Sequence, residues 1–260
     1  MQLSIYQIDA FHRDVFGGNP AAVVPLENWL DNATLQNIAT ENNLSETAFF
    51  VKTEGGLHLR WFTPAAEVRL CGHATLATAH ALYSELGYAH PTIEFETMAG
   101  KLIVEKTASG YRMDFPADPP TVCGLPRQLE HAVDAPIEAC FKGTDDYLLV
   151  LPEEAYLANL QPRLELVAQL PDRGLVVTAP GKEVDFVSRC FYPRHNIPED
   201  PVTGSAHTMM TPYWAQRLGK KKLSAIQISA RKGHLACTLA GDRVLLEGSA
   251  VTYLRGKIFI

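Results

Sequence analysis

Apolar residues along this chain fall mostly into short alternating or continuous runs, the signature of strands. In the first part of the chain these runs lie at 3–10, 21–25, 47–52, 57–62 and 102–106. They resume at 146–152, 174–180, 184–193, 225–231, 235–241 and 243–258. Helical patterns are fewer. The amphipathic run ATLQNIATEN predicts a helix over 33–42, opening after Asn32. The run ATLATAHALYSEL, residues 74–86, is apolar or small nearly all round, with His80, Ser84 and Glu85 as exceptions. A helix of that kind is buried on most sides.

The order of elements repeats. Arg60, Phe62 and Pro64 recur as Arg189, Phe191 and Pro193, and Gly72 recurs as Gly204 after a slightly longer loop. Each copy runs strand, proline-bearing loop, glycine, apolar helix, and each helix ends in Leu-Gly. This predicts two similar α/β halves, each a sheet wrapped around one central helix. The second helix contains Pro212, which either kinks it or opens a fresh helix capped by Thr211. DPPTVCGLPRQ, residues 118–128, is rich in proline and glycine and reads as the join between the halves.

Bulk composition narrows the function. The chain has 260 residues, 47% of them hydrophobic, enough to build a large core and offset the entropy of ordering. Its net charge is −6, from 23 basic and 29 acidic side chains, which argues against nucleic acid as the main partner. The one dense basic run, Lys220 to Lys222, reads as a solvated helix exit. No apolar stretch is long enough for a membrane span, and the N-terminus lacks the pattern of a signal peptide. Five scattered cysteines without a C-x-x-C pair suggest free thiols and a cytoplasmic location.

The stretch NLSETAFFV, residues 43–51, poses the sharpest chemical question. Glu46 stands at the lip of an apolar strand, where a carboxylate is costly unless it has partners or a task. Glycine before a helix permits a sharp turn and a close approach to backbone, and a helix start presents unpaired N–H groups and partial positive charge. CGHAT and TGSAH each place a glycine, Gly72 and Gly204, at such a start. If the halves face each other, the two starts converge on one cleft suited to a small carboxylate. Proton transfer then needs an acid and a base, and Glu46, His73 and Asp200 are the candidates, with Ser205 able to donate a hydrogen bond.

Plainer readings stand beside these. Glu46 can cap a turn or pair with an arginine, Asp200 can be a turn residue in EDP, and His73 and Ser205 can be ordinary helix-start residues. His80 and His207 read as core or cleft-wall residues. Glu67 with Arg69, and Asp185 with Arg189, read as ion pairs. Cys71, His73 and His80 match no structural zinc spacing, so no metal is expected.

The segments FGGNPAAVV (16–24), NLSETAFF (43–50), FTPAAEVRLCGHATLATAHAL (62–82) and PEDPVTGSAH (198–207) resemble the phenazine-biosynthesis PhzF-like family, which has the diaminopimelate-epimerase fold. The resemblance spans most of the chain in the right order. It implies an N-terminal half, 1–115, joined by the C-terminal end of the chain, a C-terminal half, 116–260, and an active site in the cleft between them. It also implies a homodimer with no metal or organic cofactor. The family's catalytic glutamate corresponds to Glu46, its motif histidine, aspartate and serine to His73, Asp200 and Ser205, and its helix-start glycines to Gly72 and Gly204. Asn19 takes a cleft-wall, substrate-binding place. The fold's cysteine-dependent racemases carry a thiol in each half. Here Cys71 precedes Gly72, but the second half offers Asp200, which argues against a two-thiol mechanism. The segment QISARKG, 227–233, departs from the family pattern, leaving its part in substrate choice or subunit contact open.

The resulting expectation is a cofactor-independent isomerase or epimerase moving a proton on a small carboxylate. The alternative is a non-catalytic carboxylate-binding or interaction protein that retains the cleft.

Overall fold

The structure, a computed structural model, describes residues 1–260. The chain divides into two compact units, Met1–Asp114 with Glu247–Ile260, and Phe115–Leu246. The chain passes between units inside a strand, so the 118–128 stretch lies within the second unit and is not itself the join.

In the first unit the strands are β1 (Gln2–Ala10), β2 (Asn19–Leu26), β3 (Glu46–Thr53), β4 (Gly56–Phe62), β5 (Glu67–Val68), β6 (Thr92–Thr97), β7 (Gly100–Lys106) and β8 (Tyr111–Pro116), with the C-terminal strand Ala250–Phe259. The C-terminal strand pairs antiparallel with β1, and β1 with β2. β2 and β3 run parallel, β3 and β4 antiparallel, β4 and β6 parallel, and β6, β7 and β8 antiparallel. Helix α1 (Asn32–Asn42) covers one face. Leu35, Ile38 and Ala39 there join Val24, Phe49, Val51 and Phe62 in a core. Its N-cap is Asp31, whose carboxylate accepts from the Thr34 N–H, one residue before the expected Asn32.

Helix α2 (Gly72–His80) occupies the other face, with His73 through Ala79 all buried. It packs on β1, β2, β3 and the C-terminal strand. His80 at its end bonds Tyr111 Oη at 3.1 Å and Thr252 Oγ1 at 3.0 Å, so strands at both ends of the sheet return to one helix. The sheet is therefore rolled around α2. The apolar run does not continue as α-helix to residue 86; Ala81–Glu85 form a π-helical turn. Strands β2 and β3 are covered on both faces, which is why their sequences are near-continuous apolar runs.

The second unit repeats this path. Its strands are β9 (Thr121–Val122), β10 (Ala139–Lys142), β11 (Asp146–Val150), β12 (Gly174–Pro180), β13 (Phe186–Tyr192), β14 (Ile197–Asp200), β15 (Lys222–Gln227), β16 (Gly233–Ala240) and β17 (Arg243–Gly248). β11 and β12 run parallel, β12 and β13 antiparallel, β13 and β15 parallel, β15 and β16 antiparallel, matching β2, β3, β4, β6 and β7 in turn. Three short helices, α3 (Arg127–Ala132), α4 (Glu154–Ala158) and α5 (Leu164–Val167), take the place of α1. They bury Leu129, Leu157 and Val167 against Leu149, Leu175, Val177 and Phe191.

Helix α6 (Gly204–Leu218) takes the place of α2 and runs unbroken through Pro212. Proline has no N–H for the Thr208 carbonyl one turn back. That carbonyl is taken by the Asp118 N–H at 3.1 Å, so the proline is tolerated without a new helix start. Trp214 on the same helix stacks on Phe186 and donates to Thr178 Oγ1 at 3.0 Å. No helix is long and apolar enough to cross a membrane.

The repeated Arg-x-Phe does the same work twice. Arg60 on β4 forms a two-toothed ion pair with Glu67 on β5, at 2.7 and 2.8 Å, and its guanidinium lies 5.1 Å from the Phe62 ring centre. Arg189 on β13 forms the same pair with Glu199 on β14, at 2.7 and 2.9 Å, and lies 5.2 Å from the Phe191 ring centre. The expected pairs, Glu67 with Arg69 and Asp185 with Arg189, are replaced by these. Asp185 instead pairs with Lys220 and accepts from the Ser224 N–H at 2.7 Å.

Candidate active site

Four side chains of the first unit meet where β2, β3 and α2 begin. Asn19 opens β2, Glu46 opens β3, and Cys71 and His73 flank Gly72 at the start of α2. The parallel ladder sets Glu46 opposite Ala21, two residues after Asn19. Gly18 fixes the entry to β2. Its φ is +65°, and a Cβ there would sit 2.1 Å from the Ala10 carbonyl oxygen.

His73 is the hub, and it is buried. Its Nε2 lies 2.9 Å from Glu46 Oε2, and its Nδ1 lies 3.2 Å from Asn19 Nδ2 and 3.5 Å from Cys71 Sγ. A neutral ring with its hydrogen on Nε2 accepts from the Asn19 amide at Nδ1, whereas a charged ring donates from both nitrogens and is met by the Asn19 amide turned to present its oxygen. Burial opposes a charged ring, but Cys71 and the Glu46 carboxylate outweigh it and hold the His73 pKa well above the ordinary value. Burial, and then the Glu46 charge, push the Cys71 thiol up to about 11. The thiol is therefore protonated at neutral pH, and the carboxylate carries the effect on the ring.

Glu46, Cys71 and His73 offer ligand atoms that all lie within 4.8 Å of one another. A carboxylate, a thiol and an imidazole could hold one borderline cation such as zinc. The raised thiol pKa works against that use, because the metal binds the thiolate.

The second unit holds the remaining candidates. Asp200 ends β14, and Gly204 and Ser205 open α6. Asp200 is buried and its carboxylate accepts from the Thr203 hydroxyl. Gln227 braces this turn: its Nε2 donates to the Asp200 carbonyl at 2.7 Å and its Oε1 accepts from the Thr203 N–H at 2.8 Å. Ser229 Oγ donates to the Pro201 carbonyl at 2.7 Å. The start of the divergent segment 227–233 thus supports the Asp200 loop.

Ser205 is held by a residue that sequence reasoning missed. Arg173 Nη2 donates to Ser205 Oγ at 3.0 Å, while Nε pairs with Asp146 at 2.9 Å and the guanidinium lies 4.9 Å from the Tyr192 ring centre. In the matching ladders Gly174 heads β12 as Glu46 heads β3. No side chain fits at 174, where a Cβ would meet the Phe191 carbonyl oxygen at 2.3 Å. The residue just before it is Arg173. The repeat therefore carries a carboxylate beside the helix start in one unit and a guanidinium in the other. The signal was a lone arginine before an apolar strand, in a segment with no counterpart motif.

The other histidines are not part of this arrangement. His207 is fully buried, with Nδ1 2.8 Å from the Thr203 carbonyl and a pKa lowered to about 4 by burial.

A rolled sheet around a helix in each of two repeats, with an acid, an imidazole and a thiol at one helix start, defines a protein of the epimerase and isomerase type. Residues 8–256 match the family described as phenazine biosynthesis-like protein, and the chain belongs to that family. It is 51% identical, over the whole of both chains, to an uncharacterized isomerase of Pseudomonas aeruginosa. The crystal structure of a phenazine biosynthesis protein of the PhzF family from Enterococcus faecalis covers 100% of both chains at TM-score 0.97 and 44% identity. A hydroxyproline epimerase of Agrobacterium vitis, with bound trans-4-hydroxy-L-proline, shares the fold at TM-score 0.60 and 11% identity, covering 99% of this chain and 92% of its own. The chain is an enzyme of the isomerase class.

Proposed function

We propose that this enzyme moves a proton on a small carboxylate-bearing substrate by acid/base catalysis, without a cofactor. Glu46 carries the proton. His73 Nε2 engages Oε2, so the transfer runs through Oε1. Asn19 fixes the imidazole, and the imidazole orients the carboxylate and balances its charge. Asp200, Gly204 and Ser205 of the second unit contribute substrate binding, with α6 supplying free N–H groups to an anion. An enolate-like oxygen formed as the proton leaves is stabilised by such donors. By family analogy the enzyme is a cytoplasmic homodimer.

The observation that carries this reading is the buried Asn19–His73–Glu46 chain, with its 2.9 Å contact between imidazole and carboxylate. A carboxylate that only capped a turn has no need of an imidazole held on its far side. The test is a thermal-shift screen with cyclic and amino-acid-derived acids, followed by incubation of each hit with the enzyme in deuterium oxide. Deuterium entering a carbon position of the ligand is the expected result. A ligand that binds and stays unlabelled would identify a binding protein and overturn the catalytic reading. Light scattering tests the dimer.

A further inference from the structure

Two thiols outside the proposed site face each other in the second unit. Cys140 lies on β10, and Cys123 follows β9 directly. The antiparallel register pairs Phe141 with Val122 and Lys142 with Thr121, so one step further sets Cys140 opposite Cys123. The Cys123 N–H donates to the Cys140 carbonyl at 3.1 Å, confirming that step. Hydrogen-bonded pairs of this kind have Cα atoms about 5.5 Å apart, inside the span of about 4.4–6.8 Å that a disulfide bridges. The two Sγ atoms are 3.4 Å apart, and both residues are free cysteines. Closing the bond brings the two sulfurs together by about 1.3 Å, from 3.4 Å to the disulfide length.

We propose that Cys123 and Cys140 form a reversible disulfide by exchange with a low-molecular-weight disulfide such as oxidised glutathione. Cys123 is the half-buried member and is the one such a reagent reaches. Its thiolate attacks one glutathione sulfur, forming a mixed disulfide and releasing one glutathione thiolate. Cys140 then gives up its proton and attacks the Cys123 sulfur, releasing the second glutathione. Two protein thiols are oxidised and one glutathione disulfide is reduced to two thiols. Burial and the neighbouring sulfur push the Cys140 thiol up to about 12, which slows its attack, and the second step goes forward because the sulfur it attacks is already in contact. Cys71, Cys190 and Cys237 are buried and no other cysteine pair is in sulfur contact.

The bond would tie down a weak edge. β9 is two residues long, and Val122 on it is 81% exposed. The cross-link fastens it to β10 and fixes the proline-flanked entry to α3. It does not depend on the proposed catalytic function.

The test uses the purified full chain in a series of reduced and oxidised glutathione ratios, quenched by alkylation and mapped by mass spectrometry. Trypsin cuts after Arg127, so the two cysteines fall on different peptides. The expected result is a cross-linked peptide pair with loss of two hydrogens in mass, and loss of two alkylatable thiols per chain. A higher Tm in the oxidised protein should accompany it, and Cys123→Ser should abolish all three changes. Wild-type protein that holds stable glutathione on Cys123, or keeps five alkylatable thiols in the most oxidising buffer, overturns the proposal. The wild-type peptide map decides the matter even if Cys140→Ser fails to fold.

Discussion

His73 Nε2 lies 2.9 Å from Glu46 Oε2, joining the first turn of α2 to the first residue of β3. The contact has little solvent around it, since the two side chains are 6% and 12% exposed. Held this close, the Glu46 carboxylate favours the charged form of the His73 ring.

Replacing Glu46 with Gln removes the proposed proton carrier while keeping its size. Turnover of any substrate found by deuterium exchange should fall by about 100-fold or more, the scale of one lost general acid/base. Circular dichroism and Tm should stay close to wild type. Undiminished exchange in the variant would take Glu46 out of the reaction.

His73 makes a signed prediction about pH. Its folded pKa lies well above the ordinary value near 6.5, held up against burial by the Glu46 carboxylate while the neutral Cys71 thiol adds no charge. The folded state therefore binds a proton that the unfolded state has lost, over the window between the two pKa values. The stabilisation is fully present below about pH 6.5 and is lost as pH rises through the folded pKa. Urea unfolding of wild type and His73→Gln across that window should show wild-type stability declining more steeply with pH. Equal slopes would mean that the ring is not charged in the folded protein.

Gly18→Ala tests the entry to β2. The residue sits at φ +65°, and its new Cβ would stand 2.1 Å from the Ala10 carbonyl. The left-handed conformation alone costs about 1–2 kcal/mol for a residue with a Cβ. The clash adds to this, so a loss of about 2 kcal/mol or more is expected in urea unfolding. Asn19 follows directly, so the His73 ring should also lose its fixed environment, visible as a shifted imidazole resonance.

Much of the fold is legible in the sequence because the strands of each sheet's centre are covered on both faces and read as apolar runs. β6 is harder: it holds Ile93 and Phe95 inward but Glu94 and Glu96 outward, and its short alternating pattern is easily passed over. The run at 243–258 reads as one strand, yet the chain breaks it at Ser249 into two. At the site, Glu46, His73 and Asn19 announce themselves by motif. Arg173 and Gln227 do not, because each acts through a partner distant in sequence. A lone arginine gives no hint that Asp146, Tyr192 and Ser205 surround it, and a glutamine inside a strand run gives none that it holds the Asp200 turn.

The duplicated ion pair yields the final prediction. Arg189 and Glu199 are 11% and 24% exposed, and Arg189 also donates to the Leu157 and Leu160 carbonyls at 3.2 and 2.6 Å. It thus ties β13 to β14, which leads to Asp200, and to the end of α4. Arg189→Leu leaves the Glu199 carboxylate half-buried without its partner and frees two carbonyls. Removing one member of a fully buried pair costs about 3–5 kcal/mol; partial exposure here brings the expected loss to about 2 kcal/mol. Adding Glu199→Leu removes the stranded charge and should recover part of that loss, giving a non-additive cycle. The loss should exceed that of Arg60→Leu, because Arg60 donates outside its pair to the Asn32 side chain alone, with no carbonyl to strand. Equal losses from both variants would mean that the ion pair itself, and not the helix-end carbonyls, governs the stability of each copy.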